Sequence, residues 1–293
     1  MSICGLLNVN KPSGITSRDA VDRVARPLRK VKVGHAGTLD PLASGVLVVA
    51  IGPATRLIEY VQRMTKTYRT TILLGATSDT LDIDGKVAPV EGVLEPTLTA
   101  VEAVLPTQVG LILQQPPDFS ALKVKGRRAY DLARSGSVVE LEARPVRVDA
   151  VTLIAFEWPR LQLEIVCGSG TYIRSIARDI GEALGCGGLV EVLTRTRIGP
   201  FTIEDAVDPR KLDAETIPRL SRPAIEALAD LPKVKISGEQ WSEIGRGRSL
   251  PIAGIASGEV ALIGPNGELV AVAESDFETG LIHPRRVLAG AVS

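Results

Sequence analysis

Conventional catalytic and metal-binding side chains are scarce in this chain. Two histidines, His35 and His283, and three cysteines, Cys4, Cys167 and Cys186, are all that 293 residues contain. The cysteines are odd in number and widely spaced, so they suggest neither a disulfide framework nor a zinc site. With so few ligands, no metal is expected. There is no Gly-x4-Gly-Lys-Ser/Thr phosphate loop. Gly168-Ser169-Gly170 follows a strand-like stretch, but Ile173 stands where a dinucleotide fingerprint needs its third glycine. A serine-hydrolase triad would lack its Gly-x-Ser-x-Gly elbow. The longest strongly apolar run, 46–51, is far too short to span a bilayer. The N-terminal residues carry neither a basic leader nor a signal-length apolar stretch, so a cytoplasmic protein away from membranes is expected. Aromatics are few as well, with 4 Phe, 4 Tyr and 2 Trp. The core must therefore be built from Val, Leu, Ile and Ala. The length allows one large core, or a large domain with a small one.

The formal net charge is zero, which by itself argues against a nucleic-acid partner. Its distribution argues otherwise. Residues 1–70 hold 11 Lys/Arg against 4 Asp/Glu, and 119–147 hold 7 against 3. The compensating acid lies mainly in 75–105 and 201–230. Such segregation can build a basic face on a neutral protein, and phosphate backbones are a common reason for one.

Patterning gives a coarse outline. A strand over 5–9 ends in the turn Asn10-Lys11-Pro12-Ser13-Gly14. A helix follows, with Thr16 and Asp19 as a capping box and Val21, Val24, Ala25 and Leu28 at helical spacing. Its other face carries Arg18, Arg23, Arg26, Arg29 and Lys30. Strands are expected over 45–51, 67–74 and 161–166, and helices over 55–64, 98–105 and up to Leu184, stopped by Gly185. Residues 78–85 form an acidic loop, and 114–147 look like an exposed basic excursion. The Pro-punctuated stretch 205–231 reads as a linker. Beyond it, short apolar runs alternate with turns such as Gly264-Pro265-Asn266-Gly267, which indicates a small β-rich domain.

One carboxylate stands out. Asp40 lies in Gly34-His35-Ala36-Gly37-Thr38-Leu39-Asp40-Pro41, a loop framed by glycines and stiffened by Pro41. Asp before Pro is ordinary turn chemistry too. An arginine beside it would keep it ionised and nucleophilic at neutral pH. Arg174 is a candidate partner, because an Arg at a helix start opposes the macrodipole and so hints at a specific role. Tyr68 and Tyr172 offer scarce aromatic faces of the kind that stack an extruded base.

Four segments taken together, Asn10 to Gly14, Gly34 to Pro41, Lys66-Thr67-Tyr68-Arg69 and Gly170-Thr171-Tyr172-Ile173-Arg174-Ser175, resemble the TruB-type bacterial tRNA pseudouridine-55 synthases. The resemblance runs in order over about 5–200 and continues into the tail. It implies an α+β (mixed α/β) fold: a pseudouridine synthase core over 1–230, with a mixed, largely antiparallel sheet flanked by helices. An RNA-gripping insertion would span about 114–147, and a small C-terminal PUA-type β-barrel 231–293. It implies isomerisation of uridine 55 in the T-loop of tRNA, an enzyme without cofactor or metal, a monomer, and the tRNA T-arm as partner.

Carried over by residue, Asp40 would be the catalytic nucleophile, whether it attacks the base or C1′ or works through a glycal route. Tyr68 would stack on the flipped uracil. Arg174 would pair with Asp40, Tyr172 and Leu193 would line the pocket, and His35 would fill the gap left by the flipped nucleotide. Lys11, Lys123, Lys125, Arg127 and Arg128 would contact the RNA backbone, and Asp82 would orient Arg174 or Tyr172. Phe119 stands where the family usually has Tyr. The alternative is a non-catalytic RNA-binding protein that assists tRNA folding and has no need of Asp40.

Overall fold

The computed structural model describes residues 3–117, 123–124, 127–128, 141–252 and 254–288. Nine strands form the main sheet: β1 (Gly5–Lys11), β2 (Val33–His35), β3 (Ser44–Ile51), β4 (Lys66–Leu74), β5 (Gly110–Gln114), β6 (Arg144–Glu157), β7 (Arg160–Cys167), β8 (Gly188–Ile198) and β9 (Phe201–Thr202). The order is β1-β3-β8-β4-β7-β6-β5, with β2 on β3 and β9 on β8. Every pairing in it is antiparallel except a short parallel contact between β3 and β8, at Ser44–Thr194 and Gly45–Arg195.

Helices α1 (Ser17–Leu28) and α2 (Ile58–Arg63), then α3 (Leu98–Val104) and α4 (Ile173–Ala183), pack around this sheet. The capping box expected at Thr16 is present: its hydroxyl accepts from the Asp19 N–H while Asp19 bonds the Thr16 backbone. The sheet's alternation sorts two cores. Leu47, Val49 and Ile51 join Val21, Val24, Ile176 and Ile180 on one side. Val46, Val48 and Ala50 face Leu57, Val61 and Phe201 on the other. A strand covered on both faces must be apolar throughout, which is why 46–51 reads as an unbroken run. Each large side chain so buried contributes about 1.5–3 kcal/mol.

A second sheet holds β10 (Lys233–Lys235), β11 (Leu250–Pro251), β12 (Gly258–Ile263), β13 (Leu269–Asp276) and β14 (Leu281–Val287), in the order β10-β12-β13-β14-β11. It is an open, PUA-like half-barrel, with β10 and β11 as its free edges. Ala261, Ile263, Leu269, Val272 and Leu288 belong to the same apolar cluster as Leu6, Val46 and Phe201. The half-barrel therefore shares a core with the main sheet.

Three sequence expectations change here. Residues 205–231 are not a free linker: Leu6 and Arg222 exchange backbone hydrogen bonds at 2.9 and 2.7 Å, and Val207 bonds both Asn8 and Asn10. Pro-rich sequence looked like a spacer, but it lays an extra layer along β1. The insertion expected over 114–147 is shorter, because Gln114 and Arg144–Arg147 are paired strand residues of β5 and β6. Turn-forming Gln115-Pro116-Pro117 masked a pairing made with a strand 30 residues away. The helix expected over 55–64 begins as a 3-10 turn, Gly52–Leu57, with Pro53 in its first turn. Lys125, Phe119 and most of the basic excursion lie outside the described residues. Lys123–Val124 pairs antiparallel with Arg127–Arg128. Among the described residues no helix is long and apolar enough to cross a membrane.

Candidate active site

The Asp40 loop joins β2 to β3 and is fastened from several sides. Ser17, in the first turn of α1, donates its hydroxyl to the Leu39 carbonyl at 2.9 Å and accepts the Leu39 N–H at 2.8 Å. Gly14 N–H bonds the Pro41 carbonyl at 2.8 Å, and Ala43 N–H closes a turn onto Asp40 at 3.1 Å. Gly37 and Gly45 take φ of 99° and 101°, values that L side chains rarely adopt. The Asp40 side chain, 37% exposed, is held over a pocket.

That pocket encloses about 290 Å³, at the small end of ligand-site size and suited to one base rather than a large cofactor. Distant parts of the chain meet there: Asp40 from its loop, Tyr68 from β4, and Tyr172 with Arg174 from the entry to α4. Leu193 and Arg195 of β8 and Lys66 of β4 complete the wall.

Arg174 is 5% exposed, and its Nη2 lies 2.9 Å from Asp40 Oδ2. Its Nη1 donates to the Thr80 carbonyl at 2.9 Å and lies 3.3 Å from Asp82 Oδ2. Asp82 is itself buried and accepts from the Thr80 hydroxyl at 2.6 Å and the Asp84 N–H at 3.2 Å. Burial raises the Asp82 carboxyl above its usual range, opposed by the Thr80 bond and the Arg174 charge. Burial likewise pushes the Tyr68 phenol up, opposed by the charge of Arg195. Lys66 is pulled down to about 8 by burial and by Arg195, its ammonium donating to the carbonyls of Gln62 and Met64. The Tyr172 backbone is clamped by Gln114, which accepts its N–H at 2.7 Å and donates to its carbonyl at 3.1 Å. Arg144 sits over the Tyr172 ring, 5.3 Å from its centre.

A carboxylate fixed by a buried guanidinium thus stands beside two aromatic rings in a pocket of base size. Comparison with known proteins gives that geometry a family. Residues 25–173 match the model described as TruB family pseudouridylate synthase (N terminal domain), and 174–222 match that of the tRNA pseudouridylate synthase B C-terminal domain. The chain belongs to the TruB family of pseudouridylate synthases. A tRNA pseudouridine synthase B from Cereibacter sphaeroides is 42% identical over 98% of this chain and 96% of its own length. The one from Rhodospirillum rubrum is 41% identical over 98% and 97%. A solved structure titled as a Cbf5-Nop10-Gar1 complex matches with TM-score 0.76 and 26% identity, over 98% of this chain and 85% of that one. Another, an H/ACA RNP bound to a substrate RNA containing 2′-deoxyuridine, matches at 0.75 and 25%, over 98% and 86%.

As a member of the TruB family the chain is an isomerase that forms pseudouridine. The fold brings Asp40, Tyr68, Tyr172, Arg174 and Leu193 to one pocket, with Asp82 behind Arg174. His35 does not line the pocket; it lies on β2 opposite Val49 of β3, and burial lowers its imidazole below the usual range. Lys11 needs correction. Expected on the RNA backbone, it is fully buried, and its ammonium donates to the carbonyls of Pro12, Ile15 and Pro41 at 3.0, 2.7 and 3.3 Å. It closes the turn onto the Asp40 loop and cannot reach a phosphate from there. Sequence reading missed Lys66, Gln114 and Arg195. A clue existed for Arg195: a charged residue two places from Leu193 shares its inward strand face. The strand itself, however, went unread.

Proposed function

We propose that this protein isomerises uridine 55 in the T-loop of tRNA to pseudouridine, with Asp40 as the catalytic carboxylate. The ion pair between Asp40 and buried Arg174, in a pocket floored by Tyr68, carries the proposal. The relatives named tRNA pseudouridine synthase B support tRNA as substrate. The structural relative bound to a substrate RNA containing 2′-deoxyuridine supports a uridine-sized guest.

In this reaction the N1–C1′ bond breaks, the uracil turns, and C5 bonds to C1′ while the C5 proton is released and N1 gains one. Product and substrate are isomers, so no oxidant or donor group enters. The target base must leave its stack, at a cost of a few kcal/mol. Stacking on Tyr68 returns about 1–3 kcal/mol. Tyr172 and Leu193 flank the base, and His35 takes its place in the loop. Lys123, Lys125, Arg127 and Arg128 supply phosphate contacts that add affinity. Residues 1–230 form the catalytic domain and 231–293 extend the RNA contact.

The test is tritium release from tRNA labelled with 5-³H-uridine. Wild-type protein releases tritium from a T-arm minihelix, whereas Asp40→Asn releases none and still binds tRNA. Release at the wild-type rate by Asp40→Asn would overturn the assignment. Absence of release by the wild type with intact binding would favour a non-catalytic RNA-binding protein.

A further inference from the structure

Arg195 is the bulkiest fully buried side chain among the described residues, at 1% exposure. Removing a guanidinium from water costs several kcal/mol and needs good partners in return. No carboxylate forms an ion pair with it among the described residues. Its Nε donates to the Val46 carbonyl at 2.8 Å and its Nη2 to the Gly37 carbonyl at 3.1 Å.

The fold goes to some length to put it there. Arg195 is the cross-strand partner of Tyr68 on β4 and of Gly45 on β3. A Cβ on Gly45 would fall 2.2 Å from the Arg195 carbonyl oxygen, so β8 approaches β3 only because residue 45 is glycine. A bond of 2.9 Å between the hydroxyls of Ser44 and Thr194 fixes the same crossing. From this point the side chain runs beneath the Asp40 loop, which Gly37 opens and β3 closes.

We propose that Arg195 is a positioning residue for the isomerisation: one planar fork ties the Asp40 loop to the start of β3 and, across the pairing of β8 with β4, keeps both in register with Tyr68. The inference rests on the roles proposed above for Asp40 and Tyr68. Lysine could keep the charge but not the fork, because its single ammonium lacks the planar, multiply directed donors. The charge matters as well. Arg195 lowers Lys66 and opposes the rise that burial imposes on Tyr68.

The experiment is a double-mutant cycle of Arg195→Lys and Tyr68→Phe, read by tritium release under single-turnover and steady-state conditions. Tyr68→Phe keeps the stacking ring and removes only the hydroxyl, which shares the pocket wall with Arg195. Arg195→Lys is expected to lower kcat about 10–100-fold, the scale of a small misplacement of reacting groups, with tRNA Kd unchanged within about twofold. In the Tyr68→Phe background the additional loss should shrink by about threefold or more, since part of the arginine's effect acts through the phenol. Melting temperatures confirm that the variants are folded; Arg195→Met, which strands two buried carbonyls, serves only as a control for instability. Wild-type kcat in Arg195→Lys, a matching loss in tRNA affinity, or effects that simply multiply would each overturn the proposal. An active Asp40→Asn would instead overturn the site on which it rests.

Discussion

Arg174 holds Asp40 with one nitrogen, Nη2 to Oδ2 at 2.9 Å, and is itself held from behind by Asp82 at 3.3 Å from the other. The forward carboxylate is 37% exposed, whereas the rear one is 7% exposed. A single guanidinium thus links an acid that can meet a substrate to an acid that cannot. The rear carboxylate touches the arginine, and the arginine in turn touches Asp40.

Asp82→Asn tests that order. Removing one charge-assisted hydrogen bond should cost about 1.5–3 kcal/mol of stability, visible as a lower melting temperature. Because Asp40 and the Thr80 carbonyl still hold Arg174, the variant should fold and bind tRNA. Its kcat should fall by about tenfold through the loosened arginine. Equal kcat in a destabilised variant would show that Asp82 serves the fold alone.

Lys11 and Lys66 give a pH dependence of stability. Both ammoniums are pulled down to about 8 in the folded chain, primarily by burial, against about 10.4 when unfolded. Between those values the unfolded state binds more protons, so stability rises with pH. Denaturant titrations from about pH 8 to 9 should show the rise. Lys66→Met should reduce the slope by up to about 1.4 kcal/mol per pH unit, the full weight of one proton. The window stops at about 9 because Cys167, pushed up to about 11 by burial, keeps its thiol proton in the folded state and opposes the rise above that, as Tyr60, pushed up to about 12 by burial and Glu259, does from about 10. A slope identical in Lys66→Met and wild type would mean that Lys66 titrates normally.

Gly45→Ala should be among the most damaging small substitutions in the chain. Its φ is 101°, and the new Cβ would meet backbone atoms of Arg195. Backbone cannot rotate away as a side chain can, so a loss of about 3 kcal/mol or more is expected in chemical unfolding. Activity should fall further than stability accounts for, because β8 carries both Leu193 and Arg195 into the pocket.

The basic segment is tested by salt. Replacing Lys123, Lys125, Arg127 and Arg128 with Gln should weaken tRNA binding and flatten the plot of log K against log salt. The slope should change by about 0.7–0.9 for each phosphate that the variant no longer neutralises. Binding measured from about 50 to 200 mM salt decides it; parallel plots for variant and wild type would mean that other residues meet the phosphates.

Much of the Asp40 loop was readable from local sequence. Gly37, Pro41 and Gly45 specify a rigid turn around Asp40, and Thr16 with Asp19 specifies the helix start beside it. These signals act within a few residues, through backbone sterics and capping, and need no tertiary context. The alternation in β4 likewise put Lys66, Tyr68 and Thr70 on one face. Elsewhere the same local logic misled. Pro-rich residues 205–231 looked like a spacer, yet they bond along β1. Lys11, a cation beside a turn, looked exposed, yet its three carbonyl partners come from two different loops.

The amino-acid order alone determined the setting of Asp40, the apolar character of β3 and the uneven charge along the chain. Only the tertiary structure decided that Asp40, Asp82 and Arg174 form one chain of contacts, that the half-barrel shares its core with the main sheet, and that Arg195 lies beneath the loop. Each of those depends on strands and helices far apart in sequence coming into register. Register is settled by packing on both faces of the sheet at once, which no local window of residues contains.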